Sequence, residues 1–189
     1  MKWGAWESQK SVYMKAVQHW TDPIVEELIP HTAASGIEGR GVDGSVIPVY
    51  TRIPSRASPT NPAPTIILIT GLDGYRPDNT QRTNEFIKRG WATIIVEIPG
   101  TADCPADPSD PRGPDRLWDI IFAWMAGKGV FDMGNLVAWG LSTGGYYAAR
   151  VAHTHKGKLK GSVAQGAGVH HFFGREWLDR VDGHEYPFQ

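Results

Sequence analysis

Ala138 to Arg150 reads AWGLSTGGYYAAR. Its first residues finish an apolar run, NLVAWG from Asn135 to Gly140, and its last residues are small and set at helical spacing. Between the two, Gly140, Leu141, Ser142, Thr143 and Gly144 match G-x-S-x-G. A serine between a buried strand and a helix sits on a sharp turn, which strains its backbone and lifts its hydroxyl above the sheet. Gly140 and Gly144 are then required because neighbouring chain passes too close for a side chain, and Gly145, Ala148 and Ala149 continue the close packing. The competing reading is a serine that only caps the helix starting at Thr143; capping explains neither flanking glycine.

A hydroxyl nucleophile needs donors for the oxyanion that develops on the attacked carbonyl. One candidate is the backbone N–H of Thr143, at the helix start. The other is the N–H of Leu72 in TGLDGY, the loop after the first parallel strand, where Gly71 lets the chain turn closely. Asp73 in that loop and Thr101 in IPGTADCPADPSDP, Ile98 to Pro111, are candidate pocket residues. So are His170 and His171, which follow the fourth strand. All of these face the carboxyl edge of the strands, where open α/β sheets bind ligands. Cys104 reads as a small buried filler, with no base placed beside it. No His/Cys/Asp spacing typical of a metal site is present, and neither metal nor cofactor is expected.

The rest of the chain supplies the frame for this turn. TIILIT (Thr65 to Thr70), ATIIVEI (Ala92 to Ile98), NLVAWG and GSVAQG (Gly161 to Gly166) are short apolar runs. Helical patterns at Thr80 to Arg89, Arg116 to Ala126 and Thr143 to His153 separate them. Runs apolar on both faces, each followed by a helix, indicate a parallel sheet covered on both sides. Upstream, VIPVYTRI (Val46 to Ile53) reads as a strand, and PSRASPTNPAP as a surface loop. Ser8 to Ile29 carries apolar residues at helical spacing, broken at Pro23, and is expected to form one or two helices. The expected division is a helical N-terminal part over residues 1–35 and an α/β domain over residues 36–189.

Composition sets the class. With 189 residues, 41% of them apolar and eight Trp among them, the chain is able to bury a core. A net charge of -1, from 19 basic and 20 acidic residues, offers no basic field for nucleic acid or an anionic membrane. One cysteine makes no internal disulfide, the N-terminus MKWGAWESQK has no uninterrupted apolar region, and the apolar runs fall far short of the roughly 20 residues that span a bilayer. A soluble, cytoplasmic protein acting on a small molecule is expected, with self-association through an unpaired sheet edge left open.

Three stretches together, LITGLDGYRPD, IVEIPGTADCPADPSDP and AWGLSTGGYYAARVAHTH, resemble the FrsA-like branch of α/β hydrolases, and within it the fungal polyketide-shortening hydrolases of the yellowish-green type. The resemblance runs from about Trp3 to Gln189. It implies an α/β-hydrolase fold in which Ser142 attacks a ketone carbonyl of an aromatic polyketide, a carbon–carbon bond breaks, and an acyl piece is lost in melanin or pigment biosynthesis. It makes Leu72 and Thr143 the oxyanion donors. It also implies a long helical region covering the site, of which residues 1–35 are the last part, and a triad acid and histidine after two further strands, beyond this chain. Asp179, Asp182 and His184 have the right types and order but lie too close together, and too early, for separate strand ends. A general carboxylesterase and a non-catalytic remnant without the acid and histidine stay open beside the polyketide reading.

Overall fold

The computed structural model describes residues 2–31, 43–107, 109–168, 174–176 and 179. In order they form α1 (Lys2–Val17), β1 (Ile24–Pro30), β2 (Val46–Arg52), β3 (Ala63–Ile69), α2 (Thr80–Lys88), β4 (Ala92–Val96), α3 (Gly113–Lys128), β5 (Phe131–Leu141), α4 (Thr143–Thr154) and β6 (Gly161–Gln165). The strands make one six-stranded sheet in the order β1-β2-β4-β3-β5-β6. From β4 to β6 all neighbours are parallel, as the alternating apolar runs and helices require. This is the α/β-hydrolase fold.

Both faces of β3 are buried, because a parallel strand in mid-sheet has helices above and below it. Ile67 and Ile69 enter a core shared with Ile94, Leu117, Trp118, Ile121, Phe122 and Val151, which places α3 and α4 on that face. Ile66 and Leu68 turn the other way, into a cluster with Val17, Ile24, Tyr50 and Ile95 against which Tyr13, Met14 and Phe86 pack. That face therefore carries α1 and α2. The helix expected from Arg116 begins earlier, with Gly113 and Pro114 in its first turn, and stops at Gly129, whose φ of 70° is the left-handed conformation favoured just past a helix end. Its inner face buries Leu117, Trp118, Ile120, Ile121, Phe122 and Met125.

One expectation fails. The segment after Pro23 is strand β1, not helix, and pairs antiparallel with β2 from Ile24↔Arg52 to Pro30↔Val46. Ile24, Val25, Leu28 and Ile29 stand at i, i+1, i+4 and i+5, a helical spacing without strict alternation, so spacing alone points to helix. The ladder to β2 decides it, and the strand's odd separation sends Ile24 into one core cluster and Ile29 into the other. Asp22, just before Pro23, fixes the entry: its carbonyl accepts from Arg52 Nε at 2.7 Å and its carboxylate from the Ser55 N–H at 2.8 Å. No helix among the described residues is long and apolar enough to cross a membrane.

β3 is where the strand order reverses, because α2 carries the chain to one side of it and α3 carries it back across to the other. The reversal leaves a crevice outside the carboxyl ends of β3 and β5. Across the helical face, Arg150 of α4 grips Asp115 of α3 bidentately, Nε–Oδ1 at 2.9 Å and Nη2–Oδ2 at 2.8 Å.

Two substitutions test this packing. Ile67→Ala removes a side chain that is 1% exposed at the centre of the sheet and lowers the unfolding free energy by about 2–5 kcal/mol in a denaturant titration. The hydrogen bonds from Arg150 hold the Asp115 carboxyl below the usual carboxylate range. Its contribution is present above the unfolded value of about 4 and is lost as pH falls through the lower folded value. Asp115→Asn therefore costs about 1–2 kcal/mol at pH 7, and the gap from wild type closes below pH ~4.

Candidate active site

β5 delivers the chain to Ser142 and α4 takes it away. Ser142 has φ 53° and ψ −125°, a region that costs an L residue about 1–3 kcal/mol unless its surroundings hold it there. They do. The Ser142 N–H donates to the Gln165 carbonyl at the end of β6, and the Gly145 N–H donates to the Ser142 carbonyl, both at 2.8 Å. A Cβ on Gly140 would lie 2.0 Å from the Gly144 carbonyl oxygen, and one on Gly144 would lie 2.2 Å from the Thr70 carbonyl oxygen. Both flanking glycines are thus dictated by close approach. The side chain of Ser142 makes no hydrogen bond to the helix end, so the serine is not there to cap α4, and its residue is exposed.

Of the two expected oxyanion donors, Thr143 opens α4 and Leu72 stands on the loop after β3 with 49% of its surface exposed. Gly71 brings that loop against the turn: a Cβ there would lie 3.1 Å from the Leu141 carbonyl oxygen and 3.2 Å from Ser142 Cβ. Asp73 is exposed on the same loop. Thr101 is buried and its hydroxyl donates to the Ile98 carbonyl at 2.7 Å, closing a turn of the loop it belongs to. His170 and His171, like Asp182 and His184, lie outside the described residues. Asp179 is described and carries an exposed, long ion pair to Arg175 at 3.9 Å.

Among the described residues no side chain hydrogen-bonds the Ser142 hydroxyl. His155 is buried, but it stands after α4, whose 12 residues span about 18 Å. It is committed there to Thr154 and Asp119. Among the described residues no group of three or more His, Cys, Asp or Glu is placed to hold a metal ion.

Charges that the sequence reading passed over stand directly behind the Leu72 loop. Glu97, at the end of β4, accepts from the Thr70 hydroxyl at 2.6 Å and from the Arg76 N–H at 2.8 Å. The Arg76 guanidinium is fully buried, forms a two-bonded pair with Asp103 at 2.6 and 2.8 Å, and lies over the ring of Tyr50. Burial pushes the Glu97 carboxyl up and the charge of Arg76 opposes the shift. A lone Glu in the apolar run ATIIVEI was the visible signal for it. The loop from Ile98 onward is held further along by Asp43, which accepts from the Asp107 N–H and from Arg116. Between loop and helices, Ile47, Val96, Cys104, Leu117 and Tyr147 line an apolar hollow. Cys104 is half-buried against the core rather than fully buried, and burial of its thiol pushes it up to about 12, which keeps it neutral.

Comparison with known proteins agrees with this geometry. The family model for X-Pro dipeptidyl-peptidases (S15 family) matches residues 43–177. The 2,6-dihydropseudooxynicotine hydrolase of Paenarthrobacter nicotinovorans is 36% identical over 62 residues, which is 33% of this chain and 16% of that protein. The crystal structure of a 2,6-dihydroxy-pseudo-oxynicotine hydrolase superposes with a TM-score of 0.63 at 23% identity, over 80% of this chain and 39% of that one. FphF, a fluorophosphonate-binding serine hydrolase of Staphylococcus aureus, does so with a TM-score of 0.59 at 14% identity, over 87% and 62%. This chain spans less than two thirds of each of these proteins. The two solved structures share its fold, and the match across residues 43–177 settles its kinship: the chain belongs to the S15 family of X-Pro dipeptidyl-peptidases.

Proposed function

We propose that the protein is a serine hydrolase in which Ser142 is the nucleophile. The observation that carries this reading is the backbone of Ser142, held at positive φ on a strand-to-helix turn between two glycines that admit no side chain. A turn built against its own strain points to a use for the hydroxyl it presents. The Ser142 hydroxyl gives its proton to a base and its oxygen bonds to the substrate carbonyl carbon. The carbonyl oxygen takes up the negative charge within reach of the N–H groups of Thr143 and Leu72. The adduct expels the leaving group, which takes up the proton, and water then releases the acyl piece from Ser142. The base and its orienting acid are supplied from outside the described residues.

For the substrate we infer an aromatic polyketide, cleaved at the carbon–carbon bond next to a ketone in the manner of pigment-pathway chain shortening. Support comes from the three motifs around residues 68–78, 95–111 and 138–155. A relative at 36% identity is itself named as a hydrolase of a small molecule, 2,6-dihydropseudooxynicotine. In such a cleavage the leaving carbon departs as an enolate and is protonated, so the same donors and base serve. The family description favours a second reading, cleavage after an X-Pro dipeptide, which places a proline-bearing peptide carbonyl on the same serine. Ester hydrolysis is the third outcome of the test.

In the full-length protein, Ser142→Ala removes the nucleophile and leaves the oxyanion donors, so kcat/KM falls by about 10³–10⁶ while substrate binding survives. A fluorophosphonate labels wild type at Ser142 and does not label the variant. Mass analysis of products from an aromatic polyketide, an Xaa-Pro-nitroanilide and a nitrophenyl ester assigns the bond. Release of an acyl fragment and a shortened polyketide supports the first reading, and turnover of only the peptide or only the ester replaces it.

A further inference from the structure

We propose that Glu97 is a positioning residue for catalysis, clasping both ends of the loop that carries Leu72 and thereby setting the height of that N–H above Ser142. The inference rests on the serine-hydrolase reading and adds to it a residue that makes no contact with the reacting atoms.

The loop between β3 and the short 3-10 turn Pro77–Asn79 is TGLDGYR, Thr70 to Arg76. Its two ends meet on one carboxylate. Glu97 Oε2 takes the hydroxyl of Thr70, the first residue, and Oε1 takes the backbone N–H of Arg76, the last. Thr70 and Arg76 are fully buried and Glu97 is 7% exposed, while Leu72 and Asp73 between them stand in solvent. An exposed tip on a loop with buried, bonded ends keeps its place only as well as the ends are held. The N-terminal end is also the one that touches the nucleophile's turn. The Thr70 carbonyl occupies the space a side chain on Gly144 would need, the Thr70 N–H donates to the Val96 carbonyl at 3.0 Å, and Gly71 lies against Ser142. Leu72 follows directly.

The charges around Glu97 explain how a carboxylate is kept in so dry a place. Arg76 Nη1 stands 3.7 Å from Glu97 Oε1 while the same guanidinium gives two hydrogen bonds to Asp103, with Glu26 at 3.7 Å and the Tyr50 ring beneath it. Desolvating so many charges contributes little net stability, and apolar side chains of the same volume serve the core as well or better. What apolar side chains do not supply is two hydrogen bonds of fixed direction to two ends of one loop. Oxyanion donors must lie within a few tenths of an ångström of where charge develops, and a shift of about 1 Å costs about 100-fold in rate.

The test uses the full-length protein with p-nitrophenyl acetate as substrate and a trifluoromethyl ketone, whose serine adduct puts an oxyanion in the same place, as inhibitor. Thr70→Val keeps the shape of the residue and deletes the hydroxyl; Glu97→Gln keeps one acceptor and loses the other. Each lowers kcat about 10–100-fold with KM within about twofold of wild type, and weakens the ketone by the same factor. Thr70→Ser, which retains the hydroxyl, restores kcat. If Glu97→Gln does not fold, Thr70→Val and Thr70→Ser carry the comparison alone. Variants with wild-type kcat and ketone affinity, whatever their melting temperature, overturn the proposal, as does a Thr70→Ser no better than Thr70→Val. A wild-type protein that neither turns over the ester nor takes a fluorophosphonate overturns the serine-hydrolase reading itself, and this one with it.

Discussion

The carbonyl oxygen of Thr70 lies where a side chain on Gly144 would have to go. That one approach, a strand end of β3 against the first turn of α4, joins the two loops from which the site is made. It exists because β3 and β5 are neighbours in parallel register, with Ile69 opposite Gly140. Moving β5 out by the width of a methyl group would separate Gly71 from Ser142. The flanking core, with Ile67 and Ala138 opposite each other and α3 and α4 packed over them, keeps the two strand ends at that distance.

Much of this was legible in the sequence because glycine at fixed offsets is a statement about space. Gly140 and Gly144 around a serine, placed after an apolar run and before small residues, mark the elbow, and β3, β4, α4 and β6 fall within a few residues of where periodicity puts them. Ile24 to Ile29 reads as helix because its apolar residues stand at i, i+1, i+4 and i+5 without alternation, and a strand at the sheet margin is specified by its partner, not by itself. Glu97 and Arg76 escaped notice for a related reason. A single charge in an apolar run, and a single Arg in a turn, acquire meaning only when the fold carries them together from 21 residues apart.

The buried charges divide the work between the two loops of the crevice. Arg76 belongs to the loop after β3, yet its strongest partner is Asp103 in the loop after β4, and Tyr50 of β2 supports it from beneath. Asp43 and Arg116 fix the far part of the second loop with bonds to Asp107 and Asp110. The crevice walls are therefore tied to each other and to the sheet by directional bonds, while apolar packing is left to the hollow around Cys104 and Tyr147.

The pairing of β3 with β5 also sets an order of events in folding. Ile66 and Val137 are partners across about 70 residues of chain, whereas β3 meets β4 after only a short crossover. Closing the longer loop costs more entropy and is rewarded only when α3 has carried β5 into place. The strained backbone of Ser142 has no support until then, since Gly71 lies against it on one side and its N–H is bonded to Gln165 of β6 on the other. The nucleophile is accordingly among the last features of the chain to take shape, and a folding intermediate with β3 and β4 already paired would have a sheet but no site.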